Sequence, residues 1–119
     1  MTEELVSESF ADTKKLIEEY FPDFKYKGFV CGSWLVDPQL VDLLGEETNI
    51  AKFCKRFKPI CGKSAGEGVF SFVFLKYHTS NVVIEELPER TTLERKLKQH
   101  YLDGKAIYEM TGYIPKNKI

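Results

Sequence analysis

The stretch FVCGSWLVDP, Phe29 to Pro38, decides how the rest of the chain is interpreted. Its alternating side chains predict a β-strand over residues 25–35. Because both faces of this strand carry apolar groups, we expect it to be central in a sheet and covered on both sides. Gly28 and Gly32 fall on one face, which predicts that a helix, a neighbouring backbone or a ligand approaches closely there.

The dipeptide Asp37-Pro38 predicts a change from strand to helix. The Asp37 side chain can accept hydrogen bonds from the free amides of a first helical turn, and Pro38 fits that turn because its missing N–H leaves no bond unmade. Gly45 is expected to end this short helix. A second short helix is predicted next, capped by Thr48 or Asn49.

Further elements are predicted on either side of this centre. Apolar residues at a spacing of three to four predict a helix over residues 3–20, which Pro22 ends. Two strands are predicted over residues 58–61 and 69–77, and the segment GKSAGEG, Gly62 to Gly68, connects them.

The C-terminal third is less regular. A further extended piece is predicted over residues 81–84, and a capping box at Thr91 predicts a helix that runs to about Asp103 before Gly104. The tail from residue 106 carries apolar residues without a pattern that assigns its state. Together these elements predict an α+β domain with a small, mainly antiparallel sheet and flanking helices.

The composition is that of one domain with almost no net charge. The chain has 119 residues, of which 43% are hydrophobic and 29% charged, and 17 basic and 18 acidic side chains give a net charge of −1. This length suits a single modest core, and the balance of charge gives no indication of a nucleic-acid partner. No apolar run is long enough to span a bilayer and no secretion signal is recognisable, so we expect a cytoplasmic protein without a membrane partner.

The three cysteines, Cys31, Cys54 and Cys61, lie among apolar neighbours and are odd in number. This pattern predicts buried, reduced thiols in a cytosolic protein. A structural zinc site takes four Cys or His ligands, whereas His78 and His100 are isolated in the sequence. We therefore predict no metal site.

The segment Gly62 to Gly68 has two interpretations. A Walker loop is excluded because Phe57 stands where its first glycine is required. From Lys63 onward the spacing approaches that of the pyrophosphate loop of GNAT acetyltransferases, in which a helix follows and its amides face the phosphates. Since a strand is predicted after this segment, we favour a hairpin connection, where glycines are ordinary turn residues.

The candidate functional side chains surround the only tryptophan, Trp34, which is itself more typical of a core. Cys31 or Ser33 could be a nucleophile only with a base close by, so a buried thiol is the favoured interpretation of Cys31. Asp37 is first a helix cap, and it is also a candidate for a pocket at a strand end. Four basic residues form either a solvated face or an anion-binding patch: Lys52, Lys55, Arg56 and Lys58.

The same stretch and three later blocks resemble a bacterial family of acyltransferase proteins, in their GNAT-like C-terminal domain. The family pattern reads approximately aromatic-x-C-x-S-W-L-L-D-P, S-N-I-x-x-F-x-x-R-F, E-E-L-P-x-x-T-x-L-x-x-x-L-x-x-H and, near the end, G-Y-I. The matching residues are Phe29, Cys31, Ser33, Trp34, Leu35, Asp37 and Pro38; Asn49, Ile50, Phe53, Arg56 and Phe57; Glu85, Glu86, Leu87, Pro88, Thr91, Leu93, Leu97 and His100; and Gly112, Tyr113 and Ile114. The departures are Gly32, Val36 and Thr48.

The resemblance implies a GNAT-like fold and the transfer of an acyl group from acetyl-CoA or another acyl-CoA to an amine on a small molecule. In such folds the pantetheine arm adds to a strand through hydrogen bonds, a carboxylate or water deprotonates the amine, and a tyrosine protonates the departing thiolate. The residues implied here are Cys31, Ser33 and Trp34 as the cleft wall, Arg56 and Lys58 as cations for the phosphates, and Asp37 and Tyr77 as the catalytic pair, with Tyr101 as an alternative to Tyr77.

Members of this family are two to three times longer than this chain and carry a helical N-terminal domain. We therefore expect residues 1–119 to be a single C-terminal domain whose partner is the missing N-terminal domain, with a homodimer as another candidate assembly. Two alternatives to a catalytic domain stay open. The chain could be a non-catalytic ligand-binding or interaction module, in which Asp37→Ala changes stability alone. It could also be a structural half with an exposed apolar sheet edge.

Overall fold

A computed structural model describes residues 1–75 and 82–119. The α-helices in these residues are α1 Glu3–Tyr20, α2 Gln39–Leu44, α3 Asn49–Lys55 and α4 Thr92–Leu102, and the strands are β1 Gly28–Ser33, β2 Lys58–Ala65 and β3 Tyr108–Pro115. Short 3-10 turns cover Trp34–Val36, Ile84–Glu86 and Lys116–Lys118, and a π-helical turn covers Val69–Val73. The predicted α+β class with a small antiparallel sheet is confirmed.

The three strands form one antiparallel sheet in the order β1–β3–β2. The end pairs of the register are Gly28↔Pro115 and Ser33↔Met110 for β1 with β3, and Lys58↔Tyr113 and Ala65↔Tyr108 for β2 with β3. The tail that the sequence left unassigned therefore forms the central strand. The prediction that β1 is central and covered on both sides is wrong, because β1 pairs only with β3 among the described strands and its Val30 is 69% exposed.

Local signals explain where β1 ends and the next helices begin. The Ser33 hydroxyl accepts a hydrogen bond from the Leu35 amide at 3.1 Å, so the chain turns at Trp34 and the strand is shorter than predicted. Asp37 accepts from the Gln39 amide at 3.0 Å and begins α2, as predicted. The predicted stop at Gly45 and cap at Thr48 are also confirmed.

The segment after β2 differs from the prediction. Residues 62–65 belong to β2, and residues 67–73 are helical, so both the hairpin and the strand over residues 69–75 are wrong. Val69 and Phe74 are both buried in the main core, which the helical turn brings about and an alternating strand would not. The rest of that predicted strand lies outside the described residues. In the part of residues 81–84 that is described, Ile84 begins a 3-10 turn instead of a strand.

The core lies on one side of the sheet. The main cluster packs α2 and α4 against the start of β3, with Trp34, Leu40, Leu44, Val69, Phe74, Leu87, Leu97 and Ile107 as its buried members. A smaller cluster of Val36, Phe57 and Ile114 lies between the sheet and the helices α1 and α3. On the opposite face of β1, Val30 is exposed, and a Cβ atom built on Gly32 would meet nothing within 4 Å among the described residues.

Helix α1 has the predicted bounds but buries only Val6 fully. Phe10 makes edge-on contacts with Phe29 and Phe57, with ring centroids 5.6 and 6.2 Å apart. The end of the helix and the following turn expose large apolar side chains: Leu16, Tyr20, Phe21 and Phe24. No helix in residues 1–75 or 82–119 has the length and apolar character needed to cross a membrane.

Candidate functional site

Two basic clefts border opposite ends of β2. The first, here called the Asp37 cavity, has a volume of about 540 Å³ and is lined by Asp37, Pro38, Gln39, Lys63, Gly104, Lys105, Ala106, Tyr108 and Met110. The second, here called the Lys58 cleft, has a volume of about 640 Å³ and is lined by Lys55, Arg56, Phe57, Lys58, Ile60, Tyr113, Ile114, Pro115 and Lys118. The predicted site residues are therefore divided between two places.

Asp37 is held by hydrogen bonds on both carboxylate oxygens. Its side chain is buried, Oδ1 accepts from the Gln39 amide at 3.0 Å, and Oδ2 accepts from Gln39 Nε2 at 2.9 Å and from the Tyr108 amide at 2.8 Å. These bonds satisfy the charge of a carboxylate that is removed from water and tie α2 to β3. The geometry supports a structural role, and the catalytic role of Asp37 stays a prediction.

Gln39 extends this network to a histidine that the sequence reasoning did not single out for the site. Gln39 Nε2 also donates to the Ala106 carbonyl at 2.8 Å, which leaves its Oε1 atom 3.0 Å from His100 Nε2. An amide oxygen can only accept, so His100 carries a proton on Nε2. His100 ends the third block of the family pattern, and this position was the one available signal.

The loop after β2 has the context that a pyrophosphate loop requires, because helical residues follow it. Its glycines permit close packing: a Cβ atom on Gly66 would lie 2.1 Å from the Ile107 carbonyl oxygen, and one on Gly68 would lie 2.6 Å from Trp34 Cδ1. The Gly68 amide donates to the Glu109 carboxylate at 3.3 Å. A carboxylate thus already accepts from this loop.

The predicted wall residues lie on or just after β1. Cys31 is half-buried against the smaller core cluster, and burial raises the pKa of its thiol. Ser33 caps the turn that follows, and Trp34 is a buried member of the main core next to Gly68. Trp34 thus lies against the glycine segment that follows β2. The predicted role of all three in binding coenzyme A stays a prediction.

The other cysteines differ in burial. Cys54 is buried, its thiol donates to the Asp37 carbonyl at 3.4 Å, and burial together with the Asp37 charge raises its pKa to about 11. Cys61 is exposed, so its predicted burial is wrong, because every residue of the edge strand β2 is exposed. Within the described residues no cluster of three His, Cys, Asp or Glu side chains could hold a metal ion.

Arg56 and Lys58 meet in the Lys58 cleft, away from Asp37. Arg56 donates to the Glu3 carbonyl at 3.1 Å and to the Ser7 hydroxyl at 3.0 Å, and thereby fastens α1 to the end of α3. Lys58 is exposed and forms no ion pair within 4.0 Å among the described side chains.

The two tyrosines proposed as catalytic acids are not equivalent. Tyr77 lies outside the described residues. The Tyr101 hydroxyl accepts from the Ile107 amide at 3.3 Å, and burial raises the pKa of this hydroxyl. This bond ties α4 to the start of β3.

The antiparallel sheet and the glycine loop between an edge strand and a helix define a GNAT-like acyltransferase fold. Solved acyltransferase structures share it. One, in complex with decanoyl-CoA, is 29% identical, has a TM-score of 0.79, and matches 94% of this chain and 35% of its own. Another, in complex with decanoyl-CoA and teicoplanin, is 25% identical, has a TM-score of 0.81, and matches 97% of this chain and 36% of its own.

The chain belongs to the family of the GNAT-like C-terminal domain, whose model matches residues 1–114. The resemblance inferred from the sequence blocks is thereby confirmed. A third solved structure, an acyltransferase in complex with CoA and 10C-teicoplanin, is 25% identical with a TM-score of 0.82 and matches 97% of this chain and 36% of its own. No curated protein matches the chain. The chain thus spans about a third of the length of its solved relatives, 35% and 36% in these cases.

Proposed function

We propose that this domain binds an acyl-CoA and is part of an N-acyltransferase that transfers the acyl group from the thioester to an amine. The observation that carries the proposal is the position of the glycine segment Lys63 to Gly68: residues 63–65 end β2, Gly66 is the connection, and residues 67–73 are helical. The solved relatives, which are acyltransferases in complex with CoA compounds, support the same cofactor.

The edge of β2 is the proposed binding place for the pantetheine arm. Among the described strands β2 pairs only with β3, so its other edge offers unpaired amides and carbonyls. An extended molecule with two amide groups can add to such an edge as a further strand would. The Cys31, Ser33 and Trp34 positions, predicted as the cleft wall, lie on the far side of β3 or next to Gly68.

The pyrophosphate is proposed to lie beside the loop, where Lys63 and Lys105 supply positive charge. The Gly68 amide, now bonded to Glu109, would exchange this carboxylate for a phosphate oxygen. The Arg56 and Lys58 pair is the competing position for the phosphates. The register pairs Lys58 with Tyr113 and Ala65 with Tyr108, so at about 3.4 Å per residue of β3 the two ends of β2 are roughly 17 Å apart, and one pyrophosphate cannot occupy both.

The proposed reaction is an ordinary acyl transfer. The amine nitrogen attacks the thioester carbonyl, the C–N bond forms, the C–S bond breaks, a base takes a proton from the nitrogen and an acid protonates the departing thiolate. Asp37 and Tyr77 are the proposed base and acid. For Asp37 this role requires the loss of at least one of its three accepted hydrogen bonds when substrate binds.

Calorimetric titration with CoA and with decanoyl-CoA tests the proposal. We expect binding that Lys63→Ala weakens about tenfold, the effect of about 1.4 kcal/mol that one charge-assisted hydrogen bond contributes. Lys15→Ala, an exposed lysine on α1, is the matched control and should leave the affinity unchanged. An equal loss in Lys58→Ala with none in Lys63→Ala would move the phosphates to the Lys58 cleft. Absence of binding in both this chain and the full-length protein would exclude the proposal.

A second candidate is an interaction domain, favoured by the exposed apolar side chains Leu16, Tyr20, Phe21 and Phe24. We propose that this surface contacts the predicted N-terminal domain, or a second copy in a homodimer. Light scattering distinguishes the two assemblies, because only a homodimer doubles the mass of this chain alone. The variant Phe21→Ser/Phe24→Ser should return such a dimer to the monomer mass. A monomer with or without the substitutions would exclude the dimer.

A further inference from the structure

The Lys58 cleft has a positive charge that its own surroundings do not balance. Among the described residues its lining holds no acidic side chain, and its basic members are Lys55, Arg56, Lys58 and Lys118. Two of these pair with glutamates outside the lining, Lys55 with Glu46 at 3.8 Å and Arg56 with Glu3 at 3.9 Å. The other two, Lys58 and Lys118, have no acidic partner within 4.0 Å in residues 1–75 and 82–119.

The tertiary fold brings these four cations together from three elements. Lys55 ends α3 and is followed by Arg56, Lys58 begins β2, and Lys118 lies in the turn after β3. The chain as a whole is almost neutral, with 17 basic and 18 acidic side chains, so this local excess is not a consequence of its composition. Like charges gathered in one cleft repel each other, and a bound anion relieves that repulsion. The arrangement therefore favours an anionic ligand.

The cleft also offers apolar surface and an aromatic ring in a fixed position. Phe57 and Ile114 are buried where they line it. The register places Tyr113 beside Lys58, and the Tyr113 hydroxyl donates to the Lys27 carbonyl at 3.0 Å, which holds the ring in place. A cleft with apolar surface and a few placed charges suits an organic molecule, since an inorganic ion would leave the apolar part in contact with water. A planar ring can stack on such an aromatic side chain.

We infer that the Lys58 cleft binds a nucleoside phosphate, at a site of its own and not as part of the acyl-CoA site. Lys58 and Lys118 contact the phosphates through charge-assisted hydrogen bonds, and the base lies on the apolar surface beside Tyr113. The inference does not rest on the proposed function, because none of these contacts involves the glycine segment or the Asp37 cavity.

Three probes test the inference by NMR on this 119-residue chain, in a buffer without divalent metal ions. ADP and adenosine differ only in the phosphates, and ADP and inorganic pyrophosphate differ only in the nucleoside. We expect ADP to shift the amide signals of Ile60 and Tyr113, and adenosine to leave them in place. Pyrophosphate should bind roughly tenfold more weakly than ADP, because it gains nothing from the apolar surface.

Variants with matched changes in charge locate the site. The double variant Lys58→Ala/Lys118→Ala should weaken ADP by roughly tenfold or more, since it removes both unpaired cations. The control Lys14→Ala/Lys15→Ala removes the same charge from α1 and should leave the ADP affinity unchanged. Lys63→Ala, at the other end of β2, should also leave it unchanged. Conversely, the double variant at the cleft should not alter the affinity for CoA that is followed through the Gly66 amide signal.

Four results would overturn the inference. Equal shifts from ADP and adenosine would remove the recognition of phosphate, and equal affinities for ADP and pyrophosphate would remove the recognition of the nucleoside. An equal loss in the α1 control would reduce the effect to net charge. An equal loss of ADP and CoA affinity in the cleft variant would make the cleft the nucleotide end of the cofactor site.

The outcomes also separate this inference from the proposed function. CoA binding without any ADP binding at the cleft rejects the inference alone. ADP binding at the cleft without any CoA binding, in this chain and in the full-length protein, rejects the proposed function and leaves the nucleoside phosphate site in place.

Discussion

The two ends of β2 both present lysines, but they differ in what the lysines face. At the end of β2 that borders the Asp37 cavity, the Asp37 carboxylate accepts from the Tyr108 amide of β3 and the Glu109 carboxylate accepts from the Gly68 amide. At the Lys58 cleft no carboxylate takes part in the lining. The first end therefore uses charge to hold elements together, and the second leaves charge available to a ligand. Substitution of Asp37 should therefore change stability, whereas substitution of Lys58 should leave stability almost unchanged.

The largest expected effect is that of Asp37→Ala on stability. This substitution leaves the half-buried Tyr108 amide and the Gln39 side chain without the Asp37 acceptor, and the free energy of unfolding should fall by about 3 kcal/mol. Lys58→Ala, in the other cleft, should change it by less than about 0.5 kcal/mol. Urea unfolding followed by circular dichroism measures both. Similar losses of stability in the two variants would contradict the proposed difference between the two ends of β2.

A smaller effect is expected for Glu109→Gln on the affinity for CoA. If the Glu109 carboxylate occupies the place of a phosphate oxygen at the Gly68 amide, its neutral isostere should compete less and repel the phosphate less. We expect CoA to bind about threefold more tightly, which corresponds to roughly 0.7 kcal/mol. The matched control is Glu67→Gln in the same loop, an exposed residue. Weaker binding in Glu109→Gln would show that this carboxylate supports the site.

The last expected effect is the alkaline dependence of stability to which Cys54 contributes, whose thiol donates to the Asp37 carbonyl. The pKa of its thiol is raised from 9.0 to about 11, so the native state binds this proton more tightly than the unfolded chain does. The contribution is complete below pH 9 and is lost as the pH rises through about 11. Unfolding curves across this range should fall less steeply for Cys54→Ala. The exposed thiol variant Cys61→Ala should keep the slope of the parent chain.

The parts of the fold that the sequence predicted correctly depend on near neighbours. The caps at Asp37, Thr48 and Thr91 act on amides two or three residues away, and all three begin helices as expected. The alternation of Phe70, Phe72 and Phe74 led to the wrong prediction of a strand, because aromatic residues suit both a strand and a helical turn packed on a core. Only packing with distant residues decides between them.

The site was predictable to a similar degree. The family pattern identifies Asp37, but not the Tyr108 amide that bonds to it or the His100 side chain that its neighbour Gln39 contacts, because both residues are far from Asp37 in the sequence. The resemblance implied Arg56 as a cation for the phosphates, and the fold shows that its guanidinium also donates to Glu3 and Ser7 of α1. Composition and spacing describe which groups are present, whereas the tertiary fold determines which of them are already occupied.

The central position of β3 has a consequence for how the chain folds. Both β1 and β2 pair with this strand and not with each other, and the pair Gly28↔Pro115 joins positions separated by most of the sequence. Such pairing has high contact order, because a long segment must be closed before any ladder hydrogen bond forms. During synthesis, β1 and β2 would emerge before β3, the strand with which both of them pair. The sheet is therefore the late step of folding, and until residues 108–115 have emerged its two outer strands are the segments most open to pairing with other chains.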